Sequence, residues 1–151
     1  MSLFVVLKLV HVLAAITAVG ANLTYPFWLR RAAGNRERVL DTIDAIVLLD
    51  SRVANVAYGV AFATGAAMVL TGAYSFQTFW VAAAIVLFVV VTILGIAVYA
   101  PVIRRLRAAA ERDITSPEYA ALDRRQTQLG FIALAFALAI VTLMVTKPTL
   151  G

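Results

Sequence analysis

One imidazole is available in the whole chain, on His11, and it follows Lys8 by three positions inside an apolar run. At about 100° per residue on a helix, Lys8, His11, Ala15, Ala18 and Asn22 fall within about 80° of one another, on a single stripe. Neutral imidazole is the commonest protein ligand for metals and can hold haem iron on one axial side. His11, with Lys8 and Asn22 beside it, is therefore the candidate cofactor site, for haem or copper. Met68 and Met144 lie near the ends of apolar stretches and could add soft sulfur for a copper ion. Two other readings stay open. One is a structural histidine bonded to a neighbouring helix, with Thr142 as its partner, and the other is a proton relay. A second polar set holds Asp50, Arg52, Asn55 and Tyr58 with Asp123, Arg125 and Gln128. It reads as charge pairs such as Asp50 with Arg125, or as a site for an anionic lipid headgroup.

Composition defines the setting for these residues. Hydrophobic residues make up 63% of the chain and charged residues 14%, against roughly 25% charged in a soluble domain. Four apolar stretches, about 3–24, 53–72, 79–99 and 128–146, are each near the ~20 residues that cross a bilayer. The expected fold is an all-α transmembrane four-helix bundle in a single domain. The absence of cysteine excludes disulfides, thiolate metal sites and covalent haem attachment.

Charge placement gives an orientation. Of the 13 Lys and Arg, Arg30, Arg31, Arg36 and Arg38 follow the first stretch. Arg104, Arg105, Arg107, Arg112, Arg124 and Arg125 follow the third. All eight acids lie at that same end. Basic loops stay in the cytoplasm, so both termini are expected outside, in the inner membrane. The net charge of +5 then reports topology, and nucleic acid is not an expected partner. Val19-Gly20-Ala21 could pass as a signal-peptide cleavage site, but no charged region precedes the apolar run, so an uncleaved span is expected.

Local signals refine the elements. Tyr25-Pro26-Phe27-Trp28 marks a membrane interface, and Ala33-Gly34-Asn35 marks a turn. Val39, Leu40, Ile43, Ile46 and Val47 have helical spacing, which predicts an amphipathic helix over residues 36–50 that either lies on the inner leaflet or, the favoured reading because no Gly or Pro interrupts residues 36–58, extends the second span. Gly59, Ala61, Ala63, Gly65, Ala66 and Ala67 allow close helix approach in lipid. Ser116-Pro117-Glu118 opens a last helix that could run to Thr146.

The two halves resemble each other. Tyr25, Pro26, Arg30 and Arg31 match Tyr99, Pro101, Arg104 and Arg105, and Leu49-Asp50-x-Arg52-x-x-Asn55 matches Leu122-Asp123-x-Arg125-x-x-Gln128. This predicts two parallel helix-pair repeats about a pseudo-two-fold along the membrane normal, with Asn55 and Gln128 facing the bundle centre. Lys8 and His11 have no counterpart in the second half, where Ala82–Val86 is apolar.

Leu7-Lys8-x-x-His11-Val12-Leu13-Ala14-Ala15, Gly20-Ala21-Asn22 and Tyr25-Pro26-Phe27-Trp28 together resemble a bacterial family of predicted integral membrane proteins, domain of unknown function 2269. The first span is also similar to that of HemJ-type protoporphyrinogen oxidases and of copper-resistance D membrane proteins. Those likenesses imply a haem- or copper-binding histidine at His11. HemJ-type enzymes carry a lysine in their third span, and Phe79–Tyr99 has none. Two functions are therefore expected as alternatives. The first is a haem- or metal-binding membrane protein. The second is a non-catalytic membrane module, either a small permease or an assembly subunit, whose partners are the lipid bilayer and a second copy (a homo-oligomer) or another membrane protein.

Overall fold

The computed structural model describes residues 2–148. Four helices, each long and apolar enough to cross a membrane, make up almost all of it: α1 (Leu3–Ala32), α2 (Arg36–Leu70), α3 (Phe79–Arg112) and α4 (Pro117–Thr146). The protein is an all-α four-helix membrane bundle, with no strand among the described residues.

Short-range chemistry sets the ends of the helices. Gly34, at φ +86°, turns the chain after α1. The Asn35 side chain then accepts the Arg38 amide at 3.0 Å and caps α2. Gly72, at φ +79°, ends α2 in the same way. Ser116 accepts the Tyr119 amide at 3.1 Å, and Pro117 stands in the first turn, where no intrahelical amide is needed. The amphipathic segment over residues 36–50 continues directly into the second span, and residues 102–112 continue the third.

Two helices are locally wound as π turns, at Asp50–Ala54 in α2 and at Leu94–Tyr99 in α3. The Asn55 amide reaches back five residues to the Asp50 carbonyl, and the Ala100 amide to Gly95. The second π turn ends two residues before Pro101, which has no amide to give to the ladder. The halves thus share a helix-pair plan but differ in detail. The first half carries its π turn on its second helix, and the second half on its first.

Each helix packs on its chain neighbour, α1 on α2 and α3 on α4, and α1 also meets α4. Alanines line the first seam, with Ala14 and Ala18 on α1 and Ala57 and Ala61 on α2 all buried. Through the membrane, α2 and α3 touch by aromatic rings, with Phe62 stacked on Phe88 at 5.4 Å and Tyr58 edge-on to Phe88 at 6.3 Å.

The best-packed region is not in the spans. It lies at the arginine-rich end, where Tyr25, Leu29, Val39, Ile43, Ile103 and Leu106 form one buried cluster. Water surrounds this end and drives apolar side chains together, whereas lipid tails are as apolar as leucine and give the spans no such force. Leu9, Ile16, Phe131 and Val145 accordingly remain exposed on the bundle surface. Val47 is exposed, because the buried stripe of α2 runs through Val39, Ile43 and Ile46 and leaves Val47 on its edge.

Candidate functional site

His11 joins three helices. Its Nδ1 lies 2.7 Å from the Ala61 carbonyl oxygen and 3.3 Å from the Thr64 hydroxyl, both on α2. Its Nε2 lies 3.4 Å from the Met144 sulfur on α4. A carbonyl can only accept, so Nδ1 carries the proton and donates it to Ala61. The imidazole can come this close because the residue beneath it is Gly65. A Cβ there would stand 3.2 Å from the His11 Cε1. The small-residue run of the second span thus has a local purpose at this position, as the seat of the ring.

Thr142, expected as the partner of His11, instead donates to the Leu138 carbonyl one turn back on its own helix. Met144 takes the place facing the ring. Lys8 is exposed and does not join the site. Asn22 lies on the same side of α1 as His11 but nearer the basic end. Its amide donates to the Tyr58 hydroxyl at 2.8 Å, a second polar link between α1 and α2.

His11 and Met144 do not stand as a pair of ligands for one haem iron. Two donors holding one metal ion in line between them would lie about 4.3 Å apart, for bonds of about 2.0 Å to nitrogen and 2.3 Å to sulfur. The observed separation is 3.4 Å. No group of three or more His, Cys, Asp or Glu that could hold a metal ion exists among the described residues.

At the basic end the expected cross-half ion pair does not form. Asp50 accepts from the Asn55 amide at 3.3 Å in its own helix, and Asp123 accepts from Gln126 at 3.2 Å in its own. Arg52 and Arg125 are exposed. Asn55 and Gln128 are exposed too, and do not face the bundle centre. The amide that α4 buries is Gln126. The π turn explains half of this difference. Winding five residues per bond over 50–54 shifts Asn55 off the face that a regular helix would give it. The Tyr25 hydroxyl is buried without a partner.

The pairs that do tie the halves together are ones that residue spacing did not reveal. Arg107 on α3 bonds Asp44 on α2 through two nitrogens, at 2.5 and 3.0 Å, and also pairs with Glu111. Arg36 donates to the Ala110 and Glu111 carbonyls at the end of α3. The Arg107 guanidinium holds the Asp44 carboxyl below the usual carboxylate range. Because the folded value is depressed, this contribution is complete above the ordinary carboxylate range and is lost as pH falls through the folded value. We expect the acid loss of stability to be smaller in Asp44→Asn than in the wild type, and 1 M salt to narrow the difference, since the pair is exposed. Unfolding midpoints recorded across an acid series check this.

A groove of about 290 Å³ opens between α1 and α4, floored by α2. Val19, Leu23, Leu134 and Ala137 give it apolar walls, Asn22 and Tyr58 lie at its floor, and Arg30 stands at its basic rim.

The comparisons bear on the whole chain. No curated protein matches it, and no solved structure does. The likeness of its first span to HemJ-type oxidases and copper-resistance D proteins therefore stays a likeness of one short motif. The family described as Predicted integral membrane protein (DUF2269) matches residues 5–148, nearly the full length. With four membrane-length helices packed as one bundle and a family match that spans all four, the chain belongs to the DUF2269 family of predicted integral membrane proteins.

Proposed function

We propose that this membrane protein is a non-catalytic module, a small permease or an assembly subunit, in which His11 fastens α1 to α2 and α4. The observation that supports this reading is the hydrogen bond from Nδ1 to the Ala61 carbonyl, over a glycine that makes room for the ring, with the Met144 sulfur packed against Nε2. Its partners would be the bilayer and either a second copy or another membrane protein, through the exposed apolar faces of the spans. The basic end would lie in the cytoplasm and both termini outside. Reporter fusions at either terminus that are active only in the cytoplasm would contradict that orientation.

One observation favours a second reading. With the proton on Nδ1, Nε2 and the Met144 sulfur both present lone pairs to each other. A soft ion such as Cu(I) could be held by both, since 3.4 Å is within reach of two ligands of one ion.

The experiment is expression with haem and copper supplied, followed by an absorption spectrum and metal analysis of the wild type and of His11→Ala. The fastener reading predicts neither a Soret band nor His11-dependent copper. It also predicts that His11→Ala loses about 0.6 kcal/mol of stability, the average for interior polar contacts in a membrane protein, and at most about 1.7 kcal/mol. Stoichiometric copper that disappears with His11→Ala would establish the second reading instead.

A further inference from the structure

Helices α1 and α4 meet at His11 and Met144, and nearer the basic end the groove lies between them. Most of its wall is apolar, as expected for a surface facing acyl chains. Its floor is not. The Asn22 amide nitrogen serves both the Ala18 carbonyl and the Tyr58 hydroxyl. The Asn22 side-chain oxygen therefore has no donor, and the Tyr58 proton has no acceptor, among the described residues. The Asn22 oxygen is not among the buried unsatisfied atoms, so it is reachable, and both residues line the groove. In hydrocarbon such a donor and acceptor favour a ligand that satisfies them.

The rim adds charge. Arg30 lines the groove eight residues beyond Asn22, about 12 Å along the axis. Helical side chains lean back towards the N-terminus, and Pro26 and Phe27 line the groove one turn before Arg30. Arg30 has no ion pair among the described residues. From the terminal end inward, the order of surfaces is then apolar channel, neutral donor and acceptor, and cation. That is the order of acyl chain, glycerol ester and phosphate in one leaflet.

We infer that this groove is a specific site for an anionic glycerophospholipid, with an acyl chain along Val19, Leu134 and Ala137, the ester region on Asn22 and Tyr58, and the phosphate on Arg30. An anionic headgroup is favoured over a zwitterionic one because Arg30 stands at the rim without a carboxylate partner, among further arginines of the same end. The site is independent of the role of His11, so its failure would leave that reading intact.

The test is native mass spectrometry of the full chain in detergent, with phosphatidylglycerol and phosphatidylcholine of identical acyl chains in equal amounts. The wild type should retain the glycerol lipid about fivefold over the choline lipid, the ratio that about 1 kcal/mol per basic residue gives. Arg30→Gln, an exposed change that spares the fold, should bring the ratio close to one. Ala133→Phe, which fills the groove, should reduce both adducts while the helix content measured by circular dichroism is kept. Equal retention of both lipids by the wild type would overturn the proposal, as would an unchanged ratio in Arg30→Gln. So would Ala133→Phe altering the oligomeric mass with lipid adducts intact, since the groove would then seat a second copy.

Discussion

Leu106→Ala is expected to destabilise the protein by about 2–5 kcal/mol, although Leu106 lies outside the apolar spans. Leu106 has no exposed surface and sits in the cluster that joins the ends of α1, α2 and α3. Truncation there leaves a cavity in a region packed under the drive of water, so both the transfer loss and the cavity apply. Phe131→Ala removes a larger side chain from the middle of α4, yet Phe131 is 62% exposed on the lipid-facing surface. Lipid tails replace the ring at little net change, so its loss should stay below about 1 kcal/mol. Unfolding both variants in the same mixed detergent micelles gives the comparison directly. A larger loss for Phe131→Ala would place the stability of the bundle in its spans and contradict this description.

Gly65→Leu should be the most damaging single change inside the membrane. Even a methyl group at Gly65 would meet the His11 ring at 3.2 Å, which a shift of a few tenths of an ångström can relieve. A leucine cannot be accommodated that way. It must push the imidazole from the Ala61 carbonyl, separating α1 from α2 where their alanines meet. Overpacking of this kind costs roughly 1–3 kcal/mol, and the lost His11 contacts add to it. Gly65→Ala should fall well below Gly65→Leu. In the His11→Ala background, the leucine penalty should shrink sharply, because the two changes share one site. An unchanged penalty in that background would show that Gly65 does not seat the ring.

Much of this architecture was legible in the residues, and the exceptions have identifiable causes. Hydropathy located the four spans, and the 3.6-residue period over 36–50 revealed the amphipathic start of α2, because both signals are local. The Ser116-Pro117 start was equally readable, since a cap is decided by its own few residues. His11 stood out because a lone histidine in an apolar run must find a partner. Which partner it finds depends on the rotation of α4 about its axis. Axial level alone suggested Thr142, but Met144 faces the ring. The basic end was misread for a similar reason. Pairing Asn55 with Gln128 assumed regular winding on both helices, and the π turn at Asp50–Ala54 rotates one of them. Arg107 with Asp44 gave no local signal, because 63 residues separate the two along the chain.

The most direct test of the fastener role is nitrogen NMR of the protein labelled at histidine alone. The chain has a single histidine, so one pair of ring resonances reports the site without assignment. The account predicts a proton on Nδ1, slow to exchange with water because it is held by the Ala61 carbonyl, and a bare Nε2 whose shift does not respond to added Cu(I) or haemin. A proton on Nε2 with a bare Nδ1, or an Nε2 shift that follows added metal, would contradict it.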